Sequence, residues 1–103
     1  MNENQYTELS RYMNSIRERA AEIAMIARST DKQEAYAVGE VLDTIIHLCR
    51  EILEGDRSPE RTIMLASATV RGLHRDPLPH TSKQADFMDA FAKDLAGIME
   101  TNA

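Results

Sequence analysis

Seven side chains near the start of this chain recur at alternating intervals of three and four residues: Tyr6, Leu9, Met13, Ile16, Ala20, Ile23 and Ala27. That alternation keeps one face of a helix apolar over its whole length, whereas a half-buried strand would need a period of two. It predicts a helix over about 4–28. Tyr12, Ala24 and Ile26 flank the seam and widen it. A strict two-stranded coiled coil places charges there, so the pattern points to a bundle helix with a broad apolar face.

A second seam follows: Ala35, Val38, Leu42, Ile45, Cys49 and Ile52, thickened by Val41 and Leu48. It predicts a helix over about 32–54. Carrying the first seam forward from Ala27 would place apolar residues one position earlier, a rotation of about 100° on a helix. A break near Ser29–Asp31 accounts for the rotation and predicts an antiparallel helical hairpin rather than one long rod. Thr30 or Asp31 would cap the second helix, with Gln33 or Glu34 completing a capping box.

"GDRSPER" is the strongest punctuation in the chain. Gly55 is placed as a C-terminal stop, Ser58 as an N-cap, Pro59 as the first helical residue, and Glu60 complements the helix dipole. A third helix then runs to about Leu73, with Ile63, Ala66, Val70 and Leu73 on one face. Met64 and Leu65 fall outside that face, so they are either buried between neighbours or exposed. "HRDPLPHTS" holds two prolines and reads as an extended linker. Thr81 or Ser82 would cap a fourth helix over about 83–100, with Phe87, Met88, Phe91, Leu95 and Ile98 as its stripe. The expected fold is all-α. A single helical domain over 1–103 holds about four helices, a long N-terminal antiparallel hairpin and two shorter helices, assembled as a homodimeric bundle.

Composition narrows the function classes. The 103 residues are 43% hydrophobic and 28% charged, in the range of a folded domain with a real core. Net charge is −5, from 12 basic and 17 acidic residues. Residues 31–57 carry a local net charge of −4 and residues 58–81 one of +1. Nucleic-acid binders present a basic face to phosphates, and no Lys/Arg cluster of that size occurs, so no nucleic-acid partner is expected. The single cysteine fits a reducing compartment. "MNENQYTELSRY" has neither the basic nor the apolar region of a secretory signal, and no apolar run approaches a membrane span. A cytoplasmic protein with no membrane partner is expected.

Reactive constellations are sparse. His47 and Cys49 are two apart and point to opposite sides of a helix, so Cys49 reads as core and His47 as surface near Asp43, Arg50 and Glu51. His74, Asp76 and His80 lie in the proline-stiffened loop and carry suitable ligand chemistry, so a small metal-dependent enzyme using that loop is one alternative. The spacing matches no metal signature. Ser67, Thr62 and Thr69 lie inside a helix, and no nucleophile elbow or phosphate-cradling glycine loop occurs. The second and third helices around Gly55 outline a helix-turn-helix. However, Glu51 and Arg61 stand where that motif wants a small and an apolar residue, so DNA binding through helix three is a second alternative. No catalytic residue, metal ligand or cofactor is assigned.

The apolar surplus is more informative. Tyr12, Met25, Tyr36, Ile46, Leu53, Met64 and Met88 fall outside any single stripe. A small acidic helical domain with spare apolar surface and six methionines reads as a protein-binding module. Leu9, Tyr12, Met13 and Ile16 are the expected partner or dimer contacts, because the heptad is cleanest there. In its opening helix "YTELSRYMNSIRERAAEIAMIA", its second helix "EAYAVGEVLDTIIHLCREIL" and its size, the chain resembles the small acidic all-helical anti-activators of bacterial quorum sensing, which bind a LuxR-type transcription factor and block its action. The resemblance implies a helical homodimer that inhibits a transcription regulator by covering its dimer or DNA-binding surface. It carries over no individual residues.

Overall fold

A computed structural model describes residues 1–29 and 32–101. Four α-helices account for most of them: α1 (Glu3–Ser29), α2 (Lys32–Leu53), α3 (Pro59–Arg75) and α4 (Thr81–Thr101). The break expected from the change of phase falls where α1 ends and α2 begins. The capping expected of Thr30 or Asp31 lies outside the described residues.

The core follows the seams. Every α2 seam residue from Ala35 to Ile52 is buried, as are Val41, Ile46 and Leu48. Leu9 from α1, Ala66 from α3 and Met88, Phe91, Ala92 and Leu95 from α4 join the α2 residues in one continuous cluster. α1 rests on α2 along the most extensive helix–helix contact of the chain, and α3 rests on α4 in the next. α4 also packs on α2 and touches α1, so α4 is the element that joins the two halves.

Three side-chain contacts fix how α1 lies on α4. Gln5 Nε2 donates to the Met99 carbonyl at 3.0 Å. Tyr12 stacks on Phe91 with ring centroids 6.1 Å apart. The Arg19 guanidinium lies 5.2 Å from the centre of the Phe87 ring, a cation–π contact. Moving up α1 therefore moves down α4, and the two run antiparallel. On the other side, Gln84 Nε2 donates to the Ala37 carbonyl at 2.8 Å, and Lys83 pairs with Glu34, which holds the start of α4 against the start of α2. Met1 and Tyr6 line one cleft together with Ile52 and Leu53. At the opposite end, Ala24 and Ala27 line another with Ala35 and Tyr36.

The α2–α3 turn follows its sequence signals. Gly55 sits at φ 82°. Its N–H reaches the Ile52 carbonyl at 3.1 Å, and the Asp56 N–H reaches the Glu51 carbonyl at 2.9 Å. These two bonds are the Schellman pattern. A Cβ at Gly55 would meet nothing within 4 Å, so the requirement for glycine is one of backbone conformation alone. Gly55→Ala should cost about 1 kcal/mol, read as a lower urea midpoint at unchanged slope. Ser58 Oγ accepts from the Arg61 N–H at 3.2 Å, with Pro59 at the first helical position.

The α4 start departs from the expected cap. Neither Thr81 nor Ser82 is the N-cap. The His80 carbonyl accepts from the Gln84 N–H at 3.4 Å, which makes His80 the capping residue, in a left-handed conformation at φ 70°. Thr81 Oγ1 instead donates back to the Leu78 carbonyl at 2.8 Å and is buried. The Thr81 hydroxyl thus serves the loop rather than the helix, also accepting from the Leu78 N–H at 3.2 Å. Gln84 serves the tie to α2.

Candidate functional site

Cys49 is fully buried, and burial pushes its thiol up to about 12. A thiol with so little thiolate at neutral pH is a poor nucleophile. Cys49 should therefore stay unreactive toward a disulfide reagent in the folded protein and react promptly once denaturant opens the core. Rapid labelling without denaturant would instead mean that α2 opens locally. His47 is exposed on the opposite face, with Nε2 2.6 Å from Glu51 Oε1. The other Glu51 oxygen accepts from Arg57 Nε at 2.6 Å. The Arg57 hydrogen bond is the first cause holding the Glu51 carboxyl below its ordinary pKa. This trio braces the α2–α3 turn.

α3 runs past the expected end near Leu73, so His74 stands exposed in its last turn, Asp76 is its exposed C-cap, and His80 caps α4. Among the described residues, no group of three His, Cys, Asp or Glu side chains is placed to hold a metal ion. None of the helices is long and apolar enough to cross a membrane, among the described residues. α3 rests on α4 rather than on α2, the helix with which the helix-turn-helix outline would pair it.

The four α1 contact candidates separate. Leu9 is fully covered by its own chain. Met13 and Ile16 are half-buried against the core. Tyr12 is also half-buried, but it borders an open cleft of about 590 Å³ between α1 and α4. Its ring lies on Phe91 and its hydroxyl bonds the Asp94 carboxylate. Burial, then the Asp94 charge, push the Tyr12 hydroxyl's pKa up, so it stays protonated and donates. Glu8, Arg11, Ser15 and Lys93 rim the cleft. Its charges are mixed, with Arg11 paired to Glu8 at 2.9 Å and Lys93 to Asp89 at 2.9 Å. The cleft is polar at the rim and aromatic at the base, a shape that suits a side chain from another protein.

The residues that fell outside any stripe have divergent fates. Ile46 and Met88 are buried, and Tyr12 and Leu53 pack at the core's edge. Met25, Tyr36 and Met64 are exposed at 68%, 63% and 71%, well above what an unused core residue would show. Leu65 and Ile26 are exposed beside them in sequence. Of these, Tyr36 borders a second cleft, of about 530 Å³, between the end of α1 and the start of α2. Ala20, Ile23, Ala24, Ala27 and Gly39 contribute to its lining, with Tyr36 at the edge.

Sequence reasoning did not single out Lys93 and Asp94, which complete the Tyr12 cleft. It also passed over Glu40, and named Asp43 only as a neighbour of His47; both edge the Tyr36 cleft. The available signal was their spacing: Tyr36, Glu40, Asp43 and His47 recur by four and three residues, an exposed stripe opposite the α2 seam. Compared with protein-family models, with curated proteins and with solved structures, the chain has no significant match.

Proposed function

We propose that this chain is a small regulatory protein that acts by binding another protein, of the anti-activator type. In this reading it works in the cytoplasm as a homodimeric bundle. α1 and α2 form an antiparallel hairpin, and the target is a transcription regulator. The observation that carries the reading is the set of large apolar side chains left outside the core, Met25, Tyr36, Met64 and Leu65, on a chain whose one cysteine is buried and inert. Large apolar side chains left exposed on a folded domain mark association surfaces. The antiparallel hairpin is supported by the two clefts at opposite ends of the α1–α2 pair, each joining the start of one helix to the end of the other.

The target contact is assigned to the α1–α4 cleft around Tyr12, flanked by Met13 and Ile16. Leu9 supports this surface from beneath, as part of the core. Tagged protein held on a resin in native lysate should retain one near-stoichiometric protein at moderate salt. Ser15→Arg changes only an exposed rim position and should release that protein while leaving helicity and thermal midpoint unchanged. Equal capture by the variant would remove the cleft from the reading, and capture of nothing at any salt would remove the binding function.

A further inference from the structure

α3 carries two seams. The inward one, Ile63, Ala66, Val70 and Leu73, accounts for its packing on α4. On the opposite side, Arg61, Met64, Ala68, Arg71 and Arg75 recur at intervals of three, four, three and four, and all five are exposed. That is a heptad pattern over the length of the helix. Leu65 and Gly72, seven residues apart, widen the same face and are exposed as well. The chain's own helices leave this outer seam uncovered.

The outer seam is positive on a chain whose net charge is −5. Among the described residues, none of Arg61, Arg71 and Arg75 takes part in an ion pair. Glu60, beside the start of the seam, accepts from Ser58 Oγ at 2.9 Å, and Asp76 follows the seam as the C-cap. Between the arginines the surface is low, with Ala68 and Gly72 one turn apart at its centre. Gly72 has a negative φ, and a Cβ there would meet nothing within 4 Å. Neither backbone conformation nor packing within the chain calls for glycine at this position, although glycine inside a helix is unfavourable. Close approach of another backbone does call for it.

We propose that the outer seam of α3 docks an acidic amphipathic helix from another protein. A face repeating every seven residues is one that a second helix can follow, knobs into holes. From Arg61 to Arg75 the seam runs about 21 Å along the axis, which matches about four turns of a partner helix. Apolar side chains of the partner settle over Ala68 and Gly72, against Met64 and Leu65. Carboxylates on the partner's flanks meet the three arginines, whose forked donors suit them. The seam faces away from α4, so it is a different surface from the α1–α4 cleft around Tyr12. A second copy of the chain is a poorer occupant, because two such seams laid together in either direction oppose arginine to arginine. Duplex DNA is poorer too, since three arginines interleaved with apolar groups neutralise few phosphates on an otherwise acidic chain. An anionic bilayer gains little from a face with two bulky apolar side chains and a low centre.

Two peptides of about 16 residues, roughly four helical turns, serve as probes. One is an alanine-rich helix with a leucine heptad seam flanked by glutamates, and the other has lysine at every glutamate. Titrated into nitrogen-15-labelled protein, the glutamate peptide should shift the amide signals of Met64–Arg75 with a Kd below about 1 mM, and the lysine peptide should leave them in place. Arg71→Glu with Arg75→Glu should weaken the glutamate peptide at least about tenfold. Gly72→Leu fills the low centre. It should weaken the peptide at least about tenfold while raising the thermal midpoint of the free protein, because leucine favours a helix more than glycine does. A glycine with a merely structural role would not give that combination. Equal shifts with both peptides, shifts confined to another helix, no binding of either, or full binding by the Gly72→Leu protein overturns the proposal. So do α3 signals that move with duplex DNA, with anionic vesicles or with protein concentration alone, but not with the glutamate peptide. None of these results touches target capture by the Tyr12 cleft, so the two readings fail separately.

Discussion

Phe91→Ala should lower the unfolding free energy by about 3–5 kcal/mol, the range for removing a buried aromatic ring. Domains of this kind hold about 5–15 kcal/mol in all, so the variant should be marginally folded near room temperature. Phe91 is fully buried and belongs to the one cluster to which all four helices contribute. It also carries Tyr12, whose ring lies on it at an interplanar angle of 25°. Collapse into the vacated space would require α1 and α4 to shift together, and Gln5 and Arg19 hold them at either end. Thermal melts followed by circular dichroism read the effect directly, since each kcal/mol moves the midpoint of a chain this long by about 4–8 °C. Phe87→Ala is the comparison: that ring is only half-buried beneath Arg19, and its loss should cost distinctly less. A Phe91 variant within about 1 kcal/mol of wild type would mean that the α1–α4 contact is not part of the cooperative core.

The second large effect is a contrast along a single seam. Leu9→Ala should cost about 2–5 kcal/mol, whereas Tyr6→Ala, three residues earlier on the same heptad, should stay within about 0.5 kcal/mol of wild type. Leu9 is 0% exposed and Tyr6 is 51% exposed. A seam that worked as a uniform association surface would weaken evenly when truncated at either position. Here the cost follows how far the chain's own α2 and α4 cover each residue. Urea unfolding of the two variants measures it, and equal losses would place Tyr6 under a cover that a single chain does not supply. The result also governs how binding data are read: loss of association in a Leu9 variant reports unfolding, while loss in a Ser15 variant reports the surface.

Much of this architecture was legible in residue spacing. The α2 seam was read correctly at every position, because a helix buried along its length repeats its apolar residues at the helical period whatever covers them. The α2–α3 turn was legible because glycine, serine and proline each have a local conformational reason to stand where they do. The α4 cap was misplaced for an instructive reason. Thr81 has the side chain of an N-cap, but the loop carbonyl of Leu78 competes for its hydroxyl, and only the path of the loop decides that competition. His74, Asp76 and His80 are ligand-like residues at the end of α3, its C-cap and the start of α4, and their separation likewise depends on that path.

The candidate surfaces were legible in part. Tyr12 was singled out by its position beside the seam, yet the cleft it borders needs Lys93 and Asp94, about eighty residues further along the sequence. Met64 and Leu65 were recognised as residues without a stripe, and the sequence left their burial open. Their exposure follows from α3 lying at the edge of the bundle, with α4 as its main neighbour.

By itself, then, the order of residues determined the helices, their inward faces, the stop at Gly55 and the start at Ser58, because each depends on periods and conformational preferences within a few residues. Only the tertiary structure decided which apolar residues are core and which are surface. The physical reason is that burial belongs to pairs of helices: a face stays exposed or becomes core according to which element lies across from it, and long-range packing alone makes that choice.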